Sequence, residues 1–236
     1  MRVRTMLPRS LALAALTFFL LDASAQVRPR AGIDFAVGVP VGDFSDSVGH
    51  PGFGISGMGL LQFGSSPAML GIDLGYLVYG FERRTEPFST TIPDVRVRVE
   101  TTNNIALGHL FFRFQPTANR VQPYAQALLG FKYLFTQTSI KDIGSDEDVA
   151  SSTNFDDIAA SYGIGAGVDF VLGSTTSETG HTTSFLLHVG ADYLLGGNAS
   201  YLKRGSIRRE NGQVTFDVLE SRTDVVLPRI GVDFTF

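Results

Sequence analysis

Apolar and small or polar residues alternate along most of this chain. Over residues 32–41, Ile33, Phe35, Val37, Val39 and Val41 fall on one side of an extended backbone, and Gly32, Asp34, Ala36 and Gly38 on the other. Successive strand side chains point to opposite faces, so a period of two predicts a strand with one greasy face. The pattern recurs. Residues 53–63 set Phe53, Ile55, Leu61 and Phe63 against Gly54, Ser56 and Gln62, and residues 70–78 set Leu70, Ile72, Leu74, Tyr76 and Val78 against Gly71, Asp73 and Gly75. Residues 125–135, 161–172, 185–195 and 226–236 behave likewise. Their minor faces carry Gln126, Gly130 and Lys132; Gly163, Gly165, Gly167 and Asp169; His188, Gly190 and Asp192; and Arg229, Gly231 and Asp233. Residues 103–114 are less regular. They predict Leu110, Phe112 and Phe114 on the apolar face and His109 and Arg113 opposite, with a bulge or a change of face within the strand.

Eight such segments, each close to the ~9–11 residues of a tilted membrane strand, suggest a small barrel. A soluble sandwich would also alternate, but its minor face would not be glycine with isolated Asp, Lys, Arg and His. That composition suits the crowded lumen of a narrow barrel whose large apolar face meets lipid. The predicted fold class is all-β, an eight-stranded antiparallel transmembrane β-barrel. Unpaired charge in a narrow lumen is costly. Asp34, Asp73, Arg113, Lys132, Asp169, His188, Asp192, Arg229 and Asp233 are therefore expected to form one hydrogen-bonded ion-pair network there, with His188 beside Asp192.

The connections alternate in length. Those at 64–67 and 115–122 are short. Those at 82–102, 141–157 and 196–224 are long and polar, and the last contains Asn211-Gly212, a hairpin signal. Short turns at one end and long loops at the other is the outer-membrane pattern, with the long loops extracellular. The connection at 173–183 is long for its side. Tyr76, Tyr79, Tyr133, Phe135, Tyr162 and Tyr193 are predicted near one rim, and Phe63, Phe114, Tyr124, Phe170 and Phe236 near the other, as two aromatic girdles.

The N-terminus reads differently. Arg2, Arg4 and Arg9 precede an apolar run over residues 11–21, and Ala23, Ser24 and Ala25 form a small-residue cleavage pattern. Residues 1–25 are expected to be a signal peptide cut after Ala25, leaving residues 26–236 as a barrel domain exported through the secretory pathway. The 19 Lys and Arg against 23 Asp and Glu give a net charge of −4, with no basic cluster fit for nucleic acid. With no cysteine there is no disulfide framework and no thiolate zinc site.

The chain ends with Ile230, Val232, Phe234 and Phe236 at every second position. This looks like the C-terminal sorting signal of outer-membrane barrels, which implies recognition by the barrel-assembly machinery. The whole of residues 26–236 resembles the small OmpA/OmpX-like outer membrane β-barrel domain family. Residues 39–44 (VPVGDF), 123–133 (PYAQALLGFKY) and 156–167 (DDIAASYGIGAG) carry the likeness. The resemblance implies an integral place in the outer membrane of a Gram-negative cell envelope, against membrane lipids and lipopolysaccharide. It implies no substrate.

Candidate chemistry is sparse. Gly163, Gly165 and Gly167 lie inside a strand pattern with no following helix, so they are not a nucleotide loop. Asp142, Asp146, Glu147, Asp148, Asp156 and Asp157 make an acidic loop that reads as solvated, with Ca²⁺ binding the sharper alternative. Lys203, Arg204, Arg208 and Arg209 could pair with that loop or with lipopolysaccharide phosphates. His50, His109, His181 and His188 do not assemble into a nucleophilic triad. The expectation is no enzyme, no cofactor and no metal. The expected function is a structural or interaction role carried by extracellular loops, whose partner the sequence leaves unknown, around a lumen plugged by polar side chains. A narrow pore or small-solute transporter is the alternative, and a lipid-modifying enzyme the third.

Overall fold

A computed structural model describes residues 27–87, 96–117, 119–142, 148–176, 182–210 and 213–236. The expected signal peptide and its cut at Ala25 lie outside the described residues, as do Asp146, Glu147, His181 and the Asn211-Gly212 pair. Eight antiparallel strands close into a ring: β1 (Val27–Pro40), β2 (Gly52–Phe63), β3 (Ala68–Pro87), β4 (Arg96–Phe114), β5 (Val121–Asp142), β6 (Asp148–Thr176), β7 (Thr182–Gly196) and β12 (Val225–Thr235). Each pairs with its neighbours around the ring, and β12 closes on β1 with Ile33 opposite Val232 and Phe35 opposite Ile230. Closure removes the sheet's free edges, which is what lets a β-structure cross lipid.

The alternation sets the two faces. Along β1, residues from Arg30 to Pro40 are buried at every second position. Ile33, Leu74, Leu110, Leu129, Ile164 and Leu172 are 61–68% exposed on the outside. The exterior is therefore greasier than much of the interior, the inverse of a soluble barrel and the form of a transmembrane one.

Three expectations about strand extent are corrected. Strands β3 to β6 run 19–29 residues, well beyond a membrane span. The presumed loops at 82–102 and 141–157 are, where described, continuations of these strands. The connection at 173–183 is shorter than it looked, because β6 continues to Thr176 and β7 begins at Thr182. Polar sequence misled here because hairpins standing clear of the membrane need no apolar face.

The irregularity placed in strand four belongs to its neighbour. β4 keeps one register with β5 throughout, and its odd-numbered residues from Val97 to Arg113 are all buried. The bulge lies on β3, where Tyr79 is the extra residue between Val78 and Gly80. It turns the strand over: Tyr79 is buried and Phe81 exposed. β4 looked irregular because Ile105, Leu107 and Phe111 are apolar yet point inward.

One end carries the short turns and both ends of the described chain. Gly64, at φ 59°, makes the β2–β3 turn in a conformation that favours glycine. The other end carries helix α1 (Asp43–Val48) and the short strands β8 (Asn198–Tyr201), β9 (Ile207–Glu210), β10 (Gln213–Phe216) and β11 (Leu219–Arg222), paired as β8–β11 and β9–β10.

Candidate functional site

The barrel interior near the short-turn end is ionic. All nine predicted lumen residues are at most 6% exposed. Arg229 joins two carboxylates: it donates to Asp73 through two nitrogens, at 2.6 and 2.9 Å, and its Nη2 lies 2.9 Å from Asp192. The Gln126 amide donates to Asp192 Oδ1 at 2.6 Å, and Arg113 donates to Gln126 at 2.9 Å. The Arg113 guanidinium also sits 4.0 Å from the centre of the Tyr124 ring, a cation–π contact. A second group lies closer to the short-turn mouth, where Arg30 pairs with both Asp169 and Asp233, and Gln115 donates to Asp169 at 2.5 Å.

The predicted partners differ in two cases. His188 does not pair with Asp192. Its Nδ1 donates to Asp34 at 2.6 Å, and its Nε2 lies 2.6 Å from the Tyr124 hydroxyl. Lys132 does not join the carboxylates. Its ammonium donates to the carbonyls of Leu194, at 3.1 Å, and Thr223. It sits on the far side of the ionic layer, where strand ends offer carbonyl oxygens.

Arg30, Gln115 and Tyr124 also belong to this interior although the alternation did not place them there, and Ser161 lies on the inward face in phase with Gly163. Arg30 is in phase with Gly32 and Asp34, so extending the alternation two residues upstream would have found it. Tyr124 and Tyr79 were assigned to the aromatic girdles, yet both are buried. Each hydroxyl has an interior partner: His188 for Tyr124, and the Leu202 carbonyl at 2.9 Å for Tyr79. His109 contacts Ser161 Oγ at 2.9 Å, with both side chains buried.

Glycine makes the ionic layer possible. Gly32 faces Asp233 in the ladder, Gly231 faces Asp34 and Gly165 faces Asp192. A Cβ on any of these glycines would lie within 2.2 Å of the facing carboxylate oxygen. The Gly163, Gly165 and Gly167 run is thus a clearance for neighbouring strands and side chains. Several polar atoms still lack a hydrogen-bond partner among the described residues, including Asp34 Oδ2, Asp169 Oδ1, Asp233 Oδ1 and His109 Nδ1.

Beyond this layer the interior turns apolar. Leu77, Ile105, Leu107, Leu134, Leu194 and Leu227 are at most 5% exposed. Phe44 of α1 packs edge-on against Tyr201 at 5.1 Å and against Tyr79 at 5.9 Å. The Leu202 carbonyl accepts from Tyr79 and from Asn103 Nδ2 at 2.8 Å, which holds the last loop inside the mouth. At the short-turn end a cavity of about 750 Å³ opens instead, lined by Arg28, Gln62, Gln122 and Thr235 and reaching Arg30.

Outside, the long strands are tied together. Glu100 lies 2.7 Å from Arg83 and 3.0 Å from Lys141, and these cations, Lys141 first, hold its carboxyl below the ordinary range. Glu82 accepts from the Gly205 amide at 3.1 Å, and Asp157 from the Ser200 amide at 2.7 Å. Asp156 accepts from the Tyr133 hydroxyl at 3.1 Å.

No family model matches the chain. No curated protein matches it either. Solved structures resemble it at low identity. Neisserial surface protein A is 14% identical with a TM-score of 0.35, over 89% of this chain and 95% of that one. The attachment invasion locus protein Ail of Yersinia pestis, solved with the heparin analogue sucrose octasulfate, is 14% identical with a TM-score of 0.33, over 89% and 97%. A major outer membrane protein from Thermus thermophilus is 10% identical with a TM-score of 0.39, over 88% and 99%.

Proposed function

We propose that this chain is an integral outer-membrane barrel of the small OmpA/OmpX-like kind, that its long-strand end carries a structural or interaction role outside the cell, and that its own side chains plug the lumen. The observation that supports this reading is the order of buried layers inside the ring. An ionic layer around Arg229 and Arg30 is followed by an apolar layer around Leu77 and Leu194, then by Phe44, Tyr201 and Leu202 across the mouth. Ion pairs such as those of Arg229 with Asp73 and Asp192 tie separate strands together across the lumen. The long-strand end is preorganised by its ion pairs and cross-loop hydrogen bonds, which lowers the ordering cost of binding. It also exposes Val214, Phe216 and Val218, apolar side chains that a binding surface would use.

Residues 1–25 act as the export signal, with cleavage at Ala25, and Ile230, Val232, Phe234 and Phe236 as the assembly signal. Membrane lipids and lipopolysaccharide are the surroundings. The chain has no enzymatic role in this reading.

Planar-bilayer conductance tests the plug. The reconstituted chain should show no steady channel, and Arg229→Ala should lower stability without opening one. A stable conductance altered by Asp73→Asn or Lys132→Met would instead support the narrow-pore alternative, which the cavity at the short-turn mouth favours. Gel mobility that differs before and after boiling tests the barrel itself.

A further inference from the structure

Three adjacent strands, β1, β12 and β7, bring Asp34, Asp233 and His188 together inside the ring. One ligand atom from each lies within 4.8 Å of the other two, and all three side chains are buried. Gly231 sits between them on the middle strand, opposite Asp34 on one side and His188 on the other. Its missing side chain is what allows the approach, since a Cβ there would stand 2.2 Å from Asp34 Oδ1.

This corner is short of positive charge. Arg229 serves Asp73 and Asp192, and Arg30 serves Asp169 and Asp233, with Arg113 3.9 Å from Asp169. Among the described residues Asp34 pairs with no arginine or lysine, and its side chain's hydrogen bond is to His188. Three guanidiniums of this layer thus face five carboxylates, and Lys132 donates to carbonyls elsewhere. Two oxygens of the same trio, Asp34 Oδ2 and Asp233 Oδ1, have no hydrogen-bond partner among the described residues although both aspartates are at most 1% exposed. Orphaned carboxylate oxygens in a low-dielectric interior are costly unless a cation meets them.

The imidazole is already oriented. Tyr124 holds His188 Nε2 at 2.6 Å, the outer-shell contact that fixes a metal-ligating histidine and leaves its other nitrogen for the ion.

We propose that Asp34, His188 and Asp233 form a binding site for a divalent first-row cation of the Zn²⁺ type. One imidazole with two carboxylates suits such an ion. On binding, the ion takes the place of the proton at His188 Nδ1, and that proton moves to Nε2, where it faces the Tyr124 oxygen, so the ligand is a neutral imidazole. A charge of two matches the excess of two carboxylates over guanidiniums in this layer. The inference takes the closed interior as its setting, but it has its own readout.

The test uses the full barrel purified without a histidine tag, folded in detergent, stripped with EDTA, exposed to Zn²⁺ and desalted. Elemental analysis should find about one zinc per folded chain. Folded His188→Asn and Asp34→Asn, checked by heat-modifiable mobility, should lose affinity by about tenfold or more, while His50→Asn should not. Zinc-edge absorption on the wild type should show a single imidazole among oxygen ligands, which decides the matter where a variant does not fold. No retained zinc, a site with several imidazoles, or unchanged binding in folded His188→Asn overturns the proposal. A barrel that binds zinc and also conducts overturns only the plugged-lumen reading.

Discussion

Gly165 and Asp192 face each other across the β6–β7 ladder so closely that a Cβ on Gly165 would lie 1.8 Å from Asp192 Oδ1. That oxygen accepts from Gln126, while Oδ2 meets Arg229. A methyl group here must displace a carboxylate that ties two other strands together. Gly165→Ala is expected to destabilise the barrel by ~1–3 kcal/mol, as overpacking does. Urea unfolding in detergent, followed by gel mobility, would measure it. An unchanged midpoint would mean the carboxylate has room to move.

Arg229 is the shared partner of Asp73 and Asp192. Its removal leaves two buried carboxylates with one arginine fewer between them. Breaking a buried pair from one side costs ~3–5 kcal/mol, because the remaining charge stays desolvated. Arg229→Met should therefore fall near that range, and the triple variant with Asp73→Asn and Asp192→Asn should recover part of the loss. A mutant cycle on folding free energy checks the coupling, and simple additivity would contradict it.

These pairings show how far sequence reading reaches. Which residues face inward was legible, because strand periodicity is local: Asp34, Asp73, Asp169 and Asp233 all fall in phase with glycines. Who meets whom was not. Arg30 and Asp233 are 203 positions apart, and only closure of β1 on β12 brings them together. His188 looked paired with Asp192 on its own strand, yet takes Asp34 from two strands away. Apolar inward residues such as Ile105 and Leu107 made β4 look broken, because a lumen with a greasy half carries no alternation in polarity. The Asp34, His188 and Asp233 cluster has no sequence spacing to betray it, since its members come from three strands.

Glu100 links β4 to Arg83 of β3 and Lys141 of β5 outside the membrane. Its carboxyl is held below the ordinary range chiefly by the Lys141 hydrogen bond. A depressed folded value means the contact stabilises above the unfolded carboxylate pKa of ~4.3 and is lost as pH falls through the lower folded value. The extension formed by β3, β4 and β5 should therefore loosen only in acid. Protection factors at Val99 and Thr101, which discount the intrinsic slowing of amide exchange in acid, should fall on acidification in the wild type. Glu100→Gln should raise exchange at neutral pH and flatten the dependence, by no more than ~1 kcal/mol for so peripheral a cluster.

Phe44 is the apolar anchor of α1, 1% exposed between Tyr79 and Tyr201. Phe44→Ala deletes a buried ring whose neighbours are fixed by strands, so collapse into the gap is limited. A cost of ~3–5 kcal/mol is expected locally. The barrel itself should survive, because its ladder is untouched. Limited proteolysis should then cut within residues 42–51 or 198–206 while the strand core stays intact. Resistance equal to the wild type would show that the cap is held by other contacts.

Leu128 and Leu129 are neighbours on β5 with opposite surroundings: Leu128 is 4% exposed and Leu129 68% exposed. If the exterior meets acyl chains, a cation at Leu129 must be carried into hydrocarbon. Leu129→Arg should cost ~2–4 kcal/mol near the bilayer midplane and progressively less at positions toward either rim, such as Phe114 or Ile158. The depth dependence is the informative part, because a soluble barrel would tolerate arginine equally at all three exposed sites. Folding free energies in lipid vesicles for the three variants give the profile. A flat profile with negligible losses would remove the membrane from the interpretation and, with it, the reason for the inverted faces.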